Sequence, residues 1–201
     1  AKIVEKLEQF DIPVVLIARK FNEGSFDYVG VNNIDGGKQA VKHLIHEGHN
    51  RIAFVGGFSN SSVWKDRFEG YHEALNQAGF ALDHTLIFEG PASRKWGKDV
   101  VQRIMELESP PTAIFCYNDV VAFGVVSGLK EIGLVPGKDV AVVGFDNIPE
   151  SALNNPSLTT IEASPKQVGK YAAQLLHERM NNIGGSDKKK IIIPPKLIVR
   201  E

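Results

Sequence analysis

Cysteine is nearly absent from this sequence: Cys116 is the single one among 201 residues, so an internal disulfide is excluded. Such usage is typical of a reducing compartment. No apolar run approaches the roughly 20 residues that a membrane-spanning helix needs. The opening segment, AKIVEKLEQF, lacks the apolar core and the cleavage pattern of a signal peptide. We therefore expect a cytoplasmic protein with no membrane partner.

Neither sign of charge is in excess, because 23 lysine and arginine residues balance 24 aspartate and glutamate residues, for a formal net charge of −1. Nothing in that balance requires nucleic acid or an anionic membrane as a partner. The chain begins with Ala1, inside an amphipathic helical segment and without an initiating methionine. We therefore expect a fragment of a longer protein.

The sequence also lacks the motifs of common catalytic and metal sites. His43, His46 and His49 lie three residues apart, whereas the zinc-binding histidines of a metalloprotease helix lie four apart, so we interpret them as solvated. Residues 36–39 (GGKQ) lack the earlier glycine and the serine or threonine of a phosphate-binding loop. Cys116 lies in an apolar run, which favours a buried side chain over a nucleophile. We predict no metal, no cofactor and no enzymatic activity.

Short apolar runs alternate with amphipathic segments along the chain, a pattern that predicts an α/β fold with parallel sheets. With 43% hydrophobic residues, the chain suffices for one large domain or two smaller lobes. The predicted strands span residues 12–18, 28–31, 51–55, 86–88, 112–117, 140–145, 158–161 and 191–199, the last interrupted by Pro194 and Pro195. The predicted helices span residues 3–10, 35–48, 68–79, 100–107, 119–132 and 165–180, with a polar loop over 58–65.

Residues 111–149 form the most informative stretch, because they read as strand, helix, strand. A right-handed crossover makes the two strands parallel, so their carboxyl ends meet at one edge of the sheet. Asn118 follows the first strand and Asp146 follows the second. Ligands of open parallel sheets bind beyond that edge, and an amide with a carboxylate suits the hydroxyl groups of a small polar molecule. Taken singly, each residue is better explained as a helix cap or a turn residue.

Four short motifs occur in a specific order: residues 117–119 (YND), 122–124 (AFG), 143–147 (VGFDN) and 156–161 (PSLTTI). Together they resemble the effector-binding core of the LacI/GalR family of bacterial transcription regulators, which is similar to the periplasmic sugar-binding proteins. The resemblance runs nearly end to end, from residues 12–15 (IPVV) to residues 197–200 (LIVR).

The resemblance implies a two-lobed, periplasmic-binding-protein-like fold with parallel sheets flanked by helices, in which the chain crosses between the lobes three times. Residues 1–31 and 164–193 would form an incomplete amino-terminal lobe, and residues 33–163 and 195–201 would form the carboxyl-terminal lobe. The first strands and helices of the amino-terminal lobe would be absent. The helix-turn-helix headpiece that reads operator DNA would be absent as well.

The resemblance also implies where an effector binds. In the family, the arginine of an Arg-x-x-Gly-Tyr segment reaches the effector, and the matching residue here is Arg67. The strand-end residues that match Asn118 and Asp146 reach it as well. Arginine presents a rigid fork of donors that pairs with two adjacent oxygens. A surface charge on a helix is the alternative for Arg67.

Two departures from the family pattern bear on the ligand. Many relatives carry Asp-Arg after the first strand, whereas this chain has Ala18 followed by Arg19, which is either a ligand contact or a surface charge. Relatives also often place an aromatic residue at the position of Ala92 to stack on a sugar ring. Trp64 or Trp96 would have to supply that ring here, and packing is the alternative for both.

We therefore favour the effector-binding core of a bacterial transcription regulator, of the repressor type. Its implied partners are a small sugar or sugar phosphate, operator DNA through the missing headpiece, and a second copy in a homodimer. A periplasmic sugar-binding protein of a transport system is the alternative. It would need a signal peptide, and the ending at residues 195–201 (PKLIVRE) resembles that of the regulators.

Overall fold

The computed structural model describes residues 12–21, 26–183, 185 and 187–200, and in addition Val4, Lys6 and Leu7. The helix predicted over residues 3–10 therefore lies largely outside the described residues. The chain separates into two compact units, one comprising Ala1–Asn32 and Ser164–Pro194, the other Asn33–Ala163 and Pro195–Glu201. Strands alternate with helices and are mostly parallel in both units. The prediction of an α/β fold is confirmed.

Among the described residues, the first unit holds a parallel sheet of three strands in the order β1-β2-β8. The strands are β1 (Val15–Ile17), β2 (Asp27–Val31) and β8 (Lys190–Ile193). Helix α6 (Pro165–Met180) packs against the sheet and spans the residues predicted for it. Leu175 of this helix joins Val29 and Ile193 in a small buried core.

A buried ion pair joins α6 to this sheet. Asp27, with 1% of its surface exposed, accepts hydrogen bonds from Arg179 Nε at 2.8 Å and Nη2 at 2.9 Å, and from the Lys189 backbone nitrogen at 2.7 Å. Burial alone would raise the pKa of Asp27, but these hydrogen bonds outweigh it and the pKa is lowered. The carboxylate is therefore ionised and holds the end of the helix against the start of β2.

The second unit holds six described strands in the order β4-β3-β5-β6-β7-β9, of which β9 alone runs antiparallel to its neighbour. The strands are β3 (Ile52–Val55), β4 (Ile87–Phe88), β5 (Ala113–Cys116), β6 (Ala141–Asp146), β7 (Thr159–Glu162) and β9 (Lys196–Ile198). The helices are α1 (Asn33–His46), α2 (Ser62–Gln77), α3 (Arg94–Met105), α4 (Asp119–Glu131) and α5 (Glu150–Leu153), with a 3₁₀ turn at His84–Leu86.

The central strands of this sheet are covered on both faces, which is why they read as continuous apolar runs. Val55 and Cys116 belong to the cluster that packs against α3 and α4. Phe54 contacts Tyr71 of α2, with ring centroids 5.7 Å apart, and Phe115, at 5.3 Å. Alternate side chains of one strand therefore contribute to two different packed layers.

Helix α2 begins earlier than predicted, at Ser62, within the segment predicted as a polar loop. Val63 and Trp64 are each only 7% exposed, so the polar residues around them form the exposed face of a first helical turn. Helix α3 begins at Arg94, before the predicted start at residue 100, since the Ser93 hydroxyl accepts a hydrogen bond from the Trp96 nitrogen and caps the helix. In the part of the chain that is described, no helix is long and apolar enough to span a bilayer.

Helices α1 and α2 approach each other closely at a position without a side chain. A Cβ atom built on Gly70 of α2 would lie 2.0 Å from the carbonyl oxygen of Ile34 in α1. Only glycine permits this approach. The crossing places Arg67, one turn earlier on α2, beside Asn33 at the start of α1.

Candidate functional site

The carboxyl ends of β5 and β6 are neighbours in the second unit, because the two strands pair in parallel with Phe115 opposite Val143. Asn118 follows β5 after one intervening residue, and Asp146 is the last residue of β6. The structure therefore places both at the same edge of the sheet. This is the edge at which parallel sheets bind ligands.

Arg67 reaches this edge from α2 and is 6% exposed. Its Nη2 donates to Asp146 Oδ1 at 3.1 Å, its Nε donates to Asn33 Oδ1 at 2.9 Å, and its Nη1 donates to the carbonyl oxygen of Tyr117. Its Cζ also lies 3.5 Å from the ring centroid of Phe145. Arg67 is therefore a buried bridge between the ends of β5 and β6, and three of its roughly five N–H donors are already used.

Asp146 occupies a backbone conformation that residues with side chains rarely adopt. Its φ angle is 114° and that of the following Asn147 is 53°, both in the region that favours glycine. Although 36% of its side chain is exposed, burial raises the pKa of Asp146, and the charge and hydrogen bond of Arg67 only partly offset that rise. Strained residues of this kind concentrate at functional sites, where the surrounding structure holds them in place.

Asn118 has a structural role at the start of α4. Its Oδ1 accepts a hydrogen bond from the backbone nitrogen of Val121 at 3.0 Å, so the side chain caps the helix. This is the helix-cap interpretation that its position after a strand already allowed. Among the described residues the side-chain nitrogen of Asn118 has no hydrogen-bond partner. Asn118 can therefore still donate towards a ligand at the same edge.

The two tryptophans considered as stacking rings are packed against other side chains. Trp64 is 7% exposed, and its ring stacks on Phe68 with centroids 4.8 Å apart and an interplanar angle of 13°. Its indole nitrogen is nevertheless buried without a hydrogen-bond partner among the described residues. Trp96 is partly buried against the core cluster of the second unit. The ring of Trp64 therefore does not present an open face.

Sequence reasoning missed two residues in the loop that joins β3 to α2. The Ser61 hydroxyl is buried and has no hydrogen-bond partner in the described part of the chain. Phe58 is 49% exposed at the same loop, which begins with Gly56 and Gly57 at φ angles of 97° and 71°. Two glycines directly after a strand were the available signal, since they indicate a sharply turned loop at a strand end.

Arg19 lies in the first unit, directly after the turn that ends β1. Ala18 has a φ angle of 60°, its nitrogen donates to the Val29 carbonyl oxygen, and its own carbonyl oxygen accepts from the Tyr28 hydroxyl at 3.1 Å. The Arg19 side chain is exposed. The turn thus fixes the backbone that carries Arg19 and leaves its guanidinium accessible.

The described residues contain no group of three histidine, cysteine, aspartate or glutamate side chains that could hold a metal ion. Cys116 is completely buried, and burial raises its pKa, which leaves the thiol protonated and inert. His49 donates to or accepts from the Thr112 hydroxyl at 2.9 Å, and burial lowers its pKa. The side chains at the edge described above, those of Arg67, Asn118 and Asp146, offer hydrogen-bond donors, acceptors and charge.

A family of known proteins matches most of this chain. The family described as periplasmic binding protein-like domain matches residues 41–201. A repressor from Aliivibrio salmonicida, the HTH-type transcriptional repressor PurR, is 34% identical over 172 residues, which cover 86% of this chain and 52% of the repressor. The chain thus spans little more than half the length of such curated repressors, 52% of this one and 57% of a PurR from Haemophilus influenzae.

Solved structures agree with this assignment. A regulatory protein of the LacI family from Chloroflexus aggregans is 30% identical, with a TM-score of 0.89 over 99% of this chain and 70% of its own. A LacI family transcriptional regulator from Enterococcus faecium, solved with bound ribose, is 28% identical, with a TM-score of 0.90 over 98% of this chain and 73% of its own. The chain therefore belongs to the LacI family of transcriptional regulators and carries the periplasmic-binding-protein-like domain of that family.

Proposed function

We propose that this chain is the effector-binding core of a transcription regulator, and that a small sugar or sugar phosphate binds at the carboxyl edge of the second unit's sheet. The relatives reported above are regulators, so a transport-type binding protein is not favoured. Transcription regulators are not enzymes, so the role proposed for this domain is ligand binding rather than catalysis. Ribose bound to the Enterococcus faecium regulator supports a sugar as the class of ligand.

The pairing of Arg67 with Asp146 carries this proposal. One carboxylate oxygen of Asp146 accepts from Arg67, and the other has no partner among the described residues. A partly exposed carboxylate at a strand end is suited to accept hydrogen bonds from vicinal hydroxyl groups. The buried guanidinium holds that carboxylate in one orientation, so the ligand meets a preorganised acceptor.

The other proposed contacts differ in the kind of group that they offer. Asn118 is proposed to donate through its side-chain nitrogen, and Arg67 through the donors that its bridge leaves unused. Arg19 is proposed as a secondary contact because it is exposed and follows a strand. Trp64 is proposed only as a donor through its unpartnered indole nitrogen. Ala18 stands where relatives often carry an acid. The absence of that negative charge makes the proposed site more positive, which favours an anionic sugar.

We expect isothermal titration calorimetry to detect binding within a panel of neutral pentoses and hexoses and their phosphates, including D-ribose and ribose 5-phosphate. Asp146→Ala is expected to weaken that binding by about 1–3 kcal/mol, because ligand hydroxyl groups lose their acceptor in a partly dehydrated site. This is a loss of roughly 5- to 150-fold. Asp99→Ala, which removes an exposed carboxylate on α3 paired with Lys95, is the matched control and should bind normally.

The outcome also separates neutral from anionic ligands. If a sugar binds and both Asp146→Ala and Arg67→Ala retain full affinity, the proposed site is wrong. Selective loss of the phosphorylated sugars in Arg67→Ala would favour an anionic effector. Circular dichroism on each variant shows whether it is folded before its affinity is compared.

The role of the whole protein extends this proposal. The matched repressors are of the HTH type, and we propose that effector binding here controls the affinity of a headpiece for operator DNA. An effector changes DNA binding only if it binds one conformation of the protein more tightly than another. The coupling is reciprocal, so operator DNA should change the affinity for the effector by the same factor.

We also propose that the chain associates into a homodimer. Leu153 of α5 is 84% exposed in the isolated chain, and covering such a side chain with a second copy removes apolar surface from water. Leu153→Glu is therefore expected to shift sedimentation-velocity profiles towards the monomer. A wild-type chain that remains monomeric over a wide concentration range would contradict the dimer.

A further inference from the structure

We propose that Asp119 is a positioning residue of this site: its buried carboxylate locks the turn that presents Asp146 to the ligand. The proposal rests on the function proposed above, because it assigns the residue that holds the ligand-binding carboxylate in place. Asp119 itself is the first residue of α4 and is fully buried. It therefore acts through Asp146 and does not touch the ligand.

The hydrogen bonds of Asp119 span the turn that follows Asp146. Its Oδ2 accepts from the backbone nitrogen of Ile148 at 3.0 Å and from the Ser151 hydroxyl at 2.7 Å. Its Oδ1 accepts from the Thr160 hydroxyl of β7 at 2.5 Å. One carboxylate thus ties α4, the turn after β6 and the neighbouring strand together.

The turn needs such a restraint because its backbone is strained. Asp146 and Asn147 both have positive φ angles, a conformation that costs on the order of a few RT per residue and persists only where neighbouring groups over-determine it. The hydrogen bond from Ile148 to Asp119 lies immediately after these two residues. Within the pair, Arg200 Nη2 donates to Asn147 Oδ1 at 2.8 Å. The strained pair is therefore held at Asn147 and at the residue that follows it.

The strand itself is shaped to admit the carboxylate. A Cβ atom built on Gly144 of β6 would lie 2.2 Å from Asp119 Oδ1, so the absence of a side chain there lets Asp119 lie against the strand backbone. Each of the three central residues of the motif at 143–147 thereby has a structural role. Gly144 makes room for Asp119, Phe145 supports the Arg67 guanidinium, and Asp146 pairs with that guanidinium.

Acceptor oxygens at position 119 matter more here than negative charge. Burial raises the pKa of Asp119, the three hydrogen bonds oppose that rise, and the nearby charge of Asp146 adds to it. An asparagine can reproduce the pattern, with its oxygen accepting from Ile148 and Ser151 and its nitrogen donating to the Thr160 hydroxyl, which rotates to accept. Asp119→Asn should therefore retain the turn, whereas Asp119→Ala should release it.

The first test needs no ligand and uses ¹⁵N NMR of the whole chain to follow the side-chain N–H signals of Arg67. Asp146→Ala defines the signals of an Arg67 that has lost its carboxylate partner. Asp119→Ala is expected to move the Arg67 signals towards that reference, and Asp119→Asn to leave them near the wild-type positions. Ile104→Ala, a truncation of a fully buried residue in α3, is the control for destabilisation alone and should not move them.

The second test measures the affinity for D-ribose by calorimetry. Asp119→Ala is expected to weaken binding by about tenfold, as for the loss of a preorganised hydrogen-bonding partner. Asp119→Asn and Ile104→Ala should stay within about twofold of the wild type. If the wild type does not bind D-ribose, that sugar is excluded as the ligand, and the Arg67 signals alone decide the role of Asp119.

Two results would overturn the proposal. One is an Asp119→Ala variant whose Arg67 signals match those of the wild type. The other is an Asp119→Asn variant that behaves like Asp119→Ala. If Asp119→Ala does not fold, Ser151→Ala and Thr160→Val each remove one of the three hydrogen bonds, and each should shift the Arg67 signals part of the way; unchanged signals in both would overturn it as well.

Discussion

Arg67→Met is expected to lower the free energy of unfolding by about 3 kcal/mol, near the low end of the range for breaking a buried ion pair. Methionine preserves an apolar stem and removes the guanidinium that lies over the Phe145 ring. The half-buried Asp146 carboxylate and the carbonyl oxygen of Tyr117 then lose their donor, and Asn33 loses one hydrogen bond. Because 36% of the Asp146 side chain is exposed, partial hydration limits the loss. Urea denaturation at pH 7 measures it.

A double variant separates the free energy lost with the ion pair from the free energy lost through changed packing. In Arg67→Met/Asp146→Asn the unpaired charge is gone, so the double variant should be more stable than the sum of the two single effects by about 1 kcal/mol. Arg94→Met is the control, because Arg94 is exposed and its guanidinium lies over the Phe123 ring, 4.8 Å from the ring centroid. It should change stability by no more than about 0.5 kcal/mol. Equal losses in Arg67→Met and Arg94→Met would contradict the assigned bridge.

Gly70→Ala is expected to destabilise the second unit by a comparable amount, about 3 kcal/mol, the upper part of the range for overpacking. The added methyl group would lie 2.0 Å from the Ile34 carbonyl oxygen and 2.7 Å from the Lys38 nitrogen. Both are backbone atoms of α1, so neither can move aside as the end of a side chain would. Helix α2 must shift away from α1, which also moves Arg67 from Asn33. Sugar binding should therefore fall together with stability.

Gly169→Ala is the control for Gly70→Ala, because it makes the same substitution in a helix at a position with open space. Gly169 lies within α6, and a Cβ atom built there meets nothing within 4 Å. Alanine favours the helical backbone over glycine, so this variant should gain about 0.5–1 kcal/mol. Thermal melts of the two variants distinguish steric overlap from helix propensity. A Gly70→Ala variant as stable as the wild type would show that the two helices are not locked by this contact.

Much of the fold could be predicted from the residues because local patterns determine it. Alternation of apolar runs with amphipathic segments predicted the α/β class, and the α6 range was predicted in full. The start of α2 was wrong, since Ser62 and its polar neighbours are equally compatible with a loop until Val63 and Trp64 are seen to be buried. Propensity does not decide such a position, and packing does.

The candidate site was predictable only in part. The order of strand, helix and strand places Asn118 and Asp146 at one edge, because the handedness of the crossover leaves little choice. The buried state of Arg67 was not predictable, since its helix also carries many exposed charges. The same holds for Asp119, which reads in sequence as an ordinary first-turn acid and is in fact enclosed by three hydrogen-bond donors.

The sequence by itself determined the class of fold, the family and the strand ends that carry polar residues, because these depend on periodicity and on the order of short motifs. Only the tertiary structure decided what each of those polar residues does. Whether Arg67 and Asp119 face solvent or the interior depends on partners that are distant in sequence, such as Asn33 for Arg67 and Thr160 for Asp119. Hydrogen bonding and burial are set by such distant neighbours, and no local pattern encodes them.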